Sequence, residues 1–275
     1  MQSPILVGTD FSSSSESAFL VALHLAQKTK AHLHIAHTFI PPFVDPNTPV
    51  SLVDALHEQN QAIFKGKLDD LVQQAQAAGV SAHAHLIFSD VPSGLTQKAK
   101  EIDAQLIVVG KTGESGFIQW FVGSNATHLL NKSEKPLLMI PGGYSPSEFT
   151  KLIYATQLEY DETEILQKVK SLQTALGASI TFIKMDVEGQ PNIQPDHGYE
   201  KTIRILFDQE VERQKSKDLV EDLHAYTVNT GGQMLITASH YRNFITQLIE
   251  PSITKKILNA AEVPVLVFQF AEISI

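Results

Sequence analysis

Val108-Val109-Gly110-Lys111-Thr112-Gly113, nine further residues, then Gly123-Ser124-Asn125-Ala126 is the stretch that decides the fold. The residues before it, Leu106-Ile107-Val108-Val109, are apolar without alternation, as in a strand covered on both faces of a sheet. A glycine at the carboxyl end of a parallel strand lets backbone approach a ligand. Gly123-Ser124 stands before a segment read as a helix over 125–131. The unpaired N–H groups of such a helix start, with the positive end of its dipole, form an anion site. The stretch has no Gly-Lys-Ser/Thr triplet, and Gly110-x-x-Gly113 lacks the third glycine of a dinucleotide fingerprint.

Outward from this loop, strands alternate with helices. Ile5-Leu6-Val7 ends in the turn Gly8-Thr9-Asp10, and Ser13 with Glu16 has capping-box spacing for a helix start. A strand is expected over 32–39, stopped by Pro41-Pro42. A long helix is expected over 51–78, with Leu52, Leu56, Ile63, Leu68, Leu71 and Val72 as its apolar positions and Gly79 as its stop. A strand over 80–88, a helix over 92–100 and a strand over 137–140 complete the first half. This order implies right-handed crossovers and a mostly parallel sheet.

Gly142-Gly143-Tyr144-Ser145-Pro146 has linker composition, and after it the order begins again. Strands are expected over 151–156, 179–185, 234–237 and 263–270, and helices over 161–176 and 252–260. Glu134-Lys135-Pro136-Leu137-Leu138-Met139-Ile140 rhymes with Glu262-Val263-Pro264-Val265-Leu266-Val267-Phe268, so the chain reads as a duplication. The domains are placed at 1–143 and 149–275. The second copy is shortened: Met185 to Gln233 spans 48 positions, against 66 from Phe39 to Gln105. Ile203 to Phe207 reads either as its third strand or as part of a helix over 199–215. The charged stretch Glu210 to Glu221 reads as a solvated helix face.

Composition sets the outer limits. The chain has 275 residues, enough for about two domains at roughly 150 residues each. With 43% apolar and 19% charged residues it is globular in composition. There is no cysteine, which excludes disulfides and thiolate chemistry. A net charge of -9 speaks against a nucleic-acid surface. No run of about 18 apolar residues marks a membrane span, and no signal peptide opens the chain; the expected location is cytoplasmic.

The nucleotide loop resembles that of the universal stress protein family, whose signature is Gly, two residues, Gly, nine residues, Gly, then Ser or Thr. Gly110, Gly113, Gly123 and Ser124 match it at every spacing, Asp10 matches the first-strand aspartate, and His37-Thr38 is similar to the family's His-Val. The resemblance covers nearly the whole chain as a tandem member. It implies an α/β fold of two Rossmann-like domains, each a five-stranded parallel sheet of order 3-2-1-4-5. It implies an adenine nucleotide (ATP, ADP or AMP), with Mg2+ an open companion. Asp10 and the main chain of Thr38 would meet adenine and ribose; Gly110 and Gly113 would lie along ribose and phosphates; Gly123, Ser124 and Asn125 would take the phosphates. It also implies that strands 137–140 and 265–268 pair antiparallel, so that the two domains pair within the chain. Asp90-Val91-Pro92 departs from the Gly-x-Pro of many members.

In the second copy the signature positions become Ala238, Tyr241, Pro251 and Ser252, and the aspartate becomes Gln157. One nucleotide site, in the first half, is therefore expected. No nucleophile–base–orienter set is visible, so the expected role is a sensor or scaffold with a homo-oligomer or protein partner. The competing reading is a slow ATPase, or autophosphorylation on Ser124. His32-x-His34 and His83-x-His85 each lie on one strand face. They are read as polar residues at a sheet edge, with no metal assigned.

Overall fold

The structure is a computed structural model that describes residues 3–41, 49–111, 129, 133–145, 148–158, 161–188, 197–240 and 263–270. The signature residues Gly113, Gly123, Ser124 and Asn125, and in the second copy Tyr241, Pro251 and Ser252, lie outside the described residues. The chain divides into two compact units, Met1–Lys135 and Pro136–Ile275.

The first unit runs β1 (Ile5–Gly8), α1 (Ser13–Thr29), β2 (Leu33–Thr38), α2 (Val50–Ala77), β3 (Ala82–Ile87), α3 (Val91–Glu101) and β4 (Leu106–Gly110). Its strands are parallel in the order β3-β2-β1-β4. Val7 lies beside Ile35 on one side and Val108 on the other, so β1 is central, with Ile5, Leu6 and Val7 buried.

Helix α1 begins one residue earlier than the capping-box spacing suggests. Ser12 is the N-cap, its hydroxyl accepting from the Ser15 amide at 3.3 Å. Ser13 is already inside the helix, so the Ser13–Glu16 box does not form. Ala18, Ala22 and Ala26 give α1 a low-relief face, which lets it lie close on β1 and β4. Asp90 caps α3 by accepting from the Ser93 amide at 3.0 Å, with Pro92 in the first turn, where a missing N–H is harmless. This explains the departure at Asp90-Val91-Pro92: the aspartate terminates the helix.

The second unit contains β5 (Leu137–Ile140), β6 (Lys151–Ala155), α4 (Thr163–Leu176), β7 (Ser179–Val187), α5 (His197–Phe207), β8 (Val211–Ser216), α6 (Leu219–Asn229), β9 (Met234–His240) and β10 (Val265–Phe270). Five parallel strands stand in the order β8-β7-β6-β9-β10, which is the expected 3-2-1-4-5. β5 runs antiparallel to β10, with Leu138 opposite Leu266.

One open alternative is decided and two expectations are corrected here. Ile203 to Phe207 is helical, as one of its two readings had it, but the helix is α5 and ends at Phe207 and not at 215. Ile203 and Phe207 are one helical turn apart and buried together, and Phe207 meets Phe182 of β7 edge-on. The stretch Glu210 to Glu221 is not one helix face: its first part is β8, the third strand, and Asp218 then caps α6. β8 pairs only with β7 among the described residues. Its charged Glu212, Arg213 and Lys215 suit a sheet edge, which they protect against further pairing. Finally, Leu52, Leu56 and Ile63 do not face the core. They are 51%, 46% and 48% exposed, whereas Leu68 of the same helix is buried. The shortening of the second copy lies in its second helix, 11 residues in α5 against 28 in α2.

Candidate functional site

At the carboxyl ends of β1, β2 and β4 the first unit opens a crevice lined by Gly8, Thr9, Asp10, Ser15, Ala36, Thr38, Val91, Leu95, Val109 and Gly110. Three sequence-selected residues, Asp10, Thr38 and Gly110, thus share one crevice, at the place where parallel α/β sheets take ligands. Gly113, Gly123, Ser124 and Asn125 lie outside the described residues.

Each element contributes for a local reason. β1 ends at Gly8, and Thr9-Asp10-Phe11-Ser12 turns the chain into α1. Phe11 stands at φ 63°, a left-handed conformation unusual for an aromatic residue. The turn is held by side chains. The Thr9 hydroxyl accepts from the Phe11 amide at 3.0 Å and lies 3.1 Å from the Ser15 hydroxyl. One Asp10 carboxylate oxygen, Oδ1, accepts from the Ser12 hydroxyl at 2.5 Å and the Ser12 amide at 3.1 Å. Asp10 is therefore both a crevice residue and a brace for the start of α1.

Thr38 is 8% exposed, and its hydroxyl oxygen is buried with no hydrogen-bond partner among the described residues. A buried hydroxyl left unpaired costs roughly 1–3 kcal/mol, so a polar partner entering this crevice would be favoured. Beside it, His37 places Nδ1 2.8 Å from the Thr9 carbonyl oxygen, which accepts a hydrogen bond from the ring N–H. Burial lowers the His37 pKa, and the Thr9 contact and the Asp10 charge oppose that shift only in part. The ring packs against Phe11 and Phe64, with centroids at 4.7 and 4.5 Å. Lys67 sits over Phe11 at 5.0 Å. Sequence reasoning did not select Thr9, Phe11, Ser15 or Phe64. The Thr9-x-x-Ser12-x-x-Ser15 spacing across the turn is the signal that marks the hydroxyls.

Gly110 has a packing reason of its own. A Cβ there would stand 2.7 Å from the Ser14 carbonyl oxygen and 2.8 Å from its hydroxyl oxygen. The first turn of α1 therefore demands glycine at Gly110 whether or not a ligand approaches.

A sequence model described as the universal stress protein family matches residues 1–141. This chain belongs to the universal stress protein family. Universal stress protein YxiE of Bacillus subtilis is 26% identical over 147 residues, covering 51% of this chain and 99% of that one. A universal stress protein of Mycobacterium bovis is 22% identical over 211 residues, covering 74% of this chain and 71% of its own. In fold, the chain is similar to a universal stress protein from Archaeoglobus fulgidus, with a TM-score of 0.67 at 15% identity. That likeness covers 98% of this chain and 97% of the other. A functionally unknown protein from Pseudomonas aeruginosa follows at a TM-score of 0.61 and 14% identity, covering 97% and 92%. At such identities these structures speak for the tandem Rossmann-like fold alone.

The second unit of this universal stress protein has a crevice in the corresponding place. Strand registers set the correspondence. Ala155, Thr156 and Gln157 stand where the first unit has Gly8, Thr9 and Asp10, and Ile183 and Met185 replace Ala36 and Thr38. Leu219 and Leu223 of α6 replace Val91 and Leu95 of α3. Ala238, at the Gly110 position, is buried. Thus the carboxylate gives way to the uncharged amide of Gln157, and the orphaned hydroxyl to the apolar side chain of Met185.

Proposed function

We propose that this universal stress protein binds one adenine nucleotide, in the crevice of its first unit, and acts as a sensor or scaffold in the cytoplasm. Family membership supports a stress-response role. The observation that carries the nucleotide reading is the meeting of Asp10, Gly110 and the unpartnered Thr38 hydroxyl at the carboxyl ends of parallel strands. In this reading Asp10 and Thr38 take the base and ribose, and Gly110 and Gly113 flank ribose and phosphate. Backbone N–H groups of Gly123, Ser124 and Asn125 take the phosphates, as the signature spacing implies. ATP is the first candidate, with ADP and AMP as the alternatives and Mg2+ as a companion of the phosphates. The domain borders at 143 and 149 and a homo-oligomer or protein partner that reads the bound state belong to the same proposal.

Mass spectrometry of small molecules released from the purified chain tests it. Adenine nucleotide at about one per chain supports the reading. A chain that releases none, and whose melting temperature ATP does not raise, overturns it.

A further inference from the structure

We infer that the crevice of the second unit is a separate site for a short, neutral aliphatic group. Its walls are Ile183 and Met185 of β7, Leu223 of α6, Leu235 of β9 and Val265 of β10, all buried. Thr156, Gln157 and Thr237 are the polar residues that line it. Among the described residues that line it, none is ionisable. A phosphate or carboxylate drawn into this crevice would lose its hydration without gaining a charged partner, which is strongly unfavourable. An alkyl chain would trade water for apolar side chains, and its hydroxyl or ester end would rest on the polar residues.

The position argues for a ligand and not only for packing. The crevice occupies the switch point of the second unit's strands, where the strand order reverses, as the crevice of the first unit does among its own strands. Three replacements relative to the first unit remove charge or polarity or add apolar bulk: Asp10 becomes Gln157, Thr38 becomes Met185 and Ala36 becomes Ile183, while Val109 to Thr237 adds one hydroxyl, so the crevice persists without the carboxylate. The inference does not depend on nucleotide binding by the first unit.

The test is a titration of the full chain, 13C-labelled at methionine and leucine methyl groups, with n-hexanol, hexanoate and ATP in separate arms. Hexanol is expected to shift the methyl signals of Met185, Leu223 and Leu235 saturably while Leu33 and Leu68 of the first unit stay fixed. Hexanoate is expected to bind at least tenfold more weakly, and ATP to leave the Met185 signal unmoved. Leu223→Trp, which fills the crevice, should abolish the hexanol response. Met185→Thr, which restores the first unit's residue at lower bulk, should weaken it several-fold if Leu223→Trp fails to fold. The inference is overturned if hexanol moves no second-unit methyl group, if the response survives in a folded crevice variant, or if ATP shifts Met185 saturably.

Discussion

His34 of β2 and His85 of β3 face each other across neighbouring strands, Nδ1 to Nε2 at 2.8 Å. One ring's N–H donates to the bare nitrogen of the other, so the pair is satisfied only while at most one ring is charged. The rings are stacked, and His83 lies 5.1 Å from His34, centroid to centroid. Burial, then the charges of His85, His83, His32 and Lys98, lower the His34 pKa to about 4; burial, Lys98 and His83 lower that of His85, against a smaller opposing effect of Glu101.

The sign of the pH dependence follows. A histidine with an ordinary value near 6.5 when unfolded and about 4 when folded binds more protons in the unfolded chain between those limits. Its stabilising effect is therefore complete above about 6.5 and is lost as pH falls toward 4. Urea unfolding midpoints should drop between pH 7 and pH 4.5, and His34→Asn should flatten that slope. A variant with an unchanged slope would show that other groups govern it.

Thr38→Val separates two consequences of one orphaned hydroxyl. Removing a buried hydroxyl that has no partner should stabilise the ligand-free chain by about 1 kcal/mol. If the hydroxyl meets the nucleotide, the same change should weaken binding about tenfold. Denaturation and equilibrium binding on one preparation check both signs together.

Gly110→Ala should destabilise the chain by about 1–3 kcal/mol, because the new Cβ meets backbone of α1 and not a flexible side-chain tip. The unfolding midpoint in urea reports this without any ligand present. A neutral result would mean that the first turn of α1 shifts easily.

In the second unit, Tyr154 and Tyr199 both donate to Oε2 of the buried Glu162, at 2.7 and 2.6 Å. Burial and the carboxylate beside them push both phenol pKa values up, so the phenols stay protonated donors. Glu162→Ala removes their shared acceptor and should cost about 1–3 kcal/mol, with Glu162→Gln milder because an acceptor oxygen remains. Comparison of the two midpoints checks the order.

Much of this fold was legible because its signals are local. The all-apolar run at Leu106–Gly110 and the repeated Pro-then-apolar endings each mark a strand by themselves. What misled was context. A strand as charged as Val211–Ser216 reads as helix surface because an edge strand buries little. Leu52, Leu56 and Ile63 read as core because their spacing is helical. Yet α2, at about 1.5 Å per residue, is about 42 Å long, and β3 beside it only about 20 Å, so the early turns of the helix have no sheet beneath them. At the site, Asp10 and Gly110 were visible as residue types at strand ends. Their second tasks, bracing Ser12 and clearing Ser14, depend on the crossing of α1 and have no trace in sequence spacing.

Calorimetric titration of the full chain with ATP tests the one-site nucleotide reading most directly. One site per chain is expected, with binding lost in Gly123→Val and kept in Gln157→Ala. No heat of binding, or two equivalent sites per chain, would contradict it.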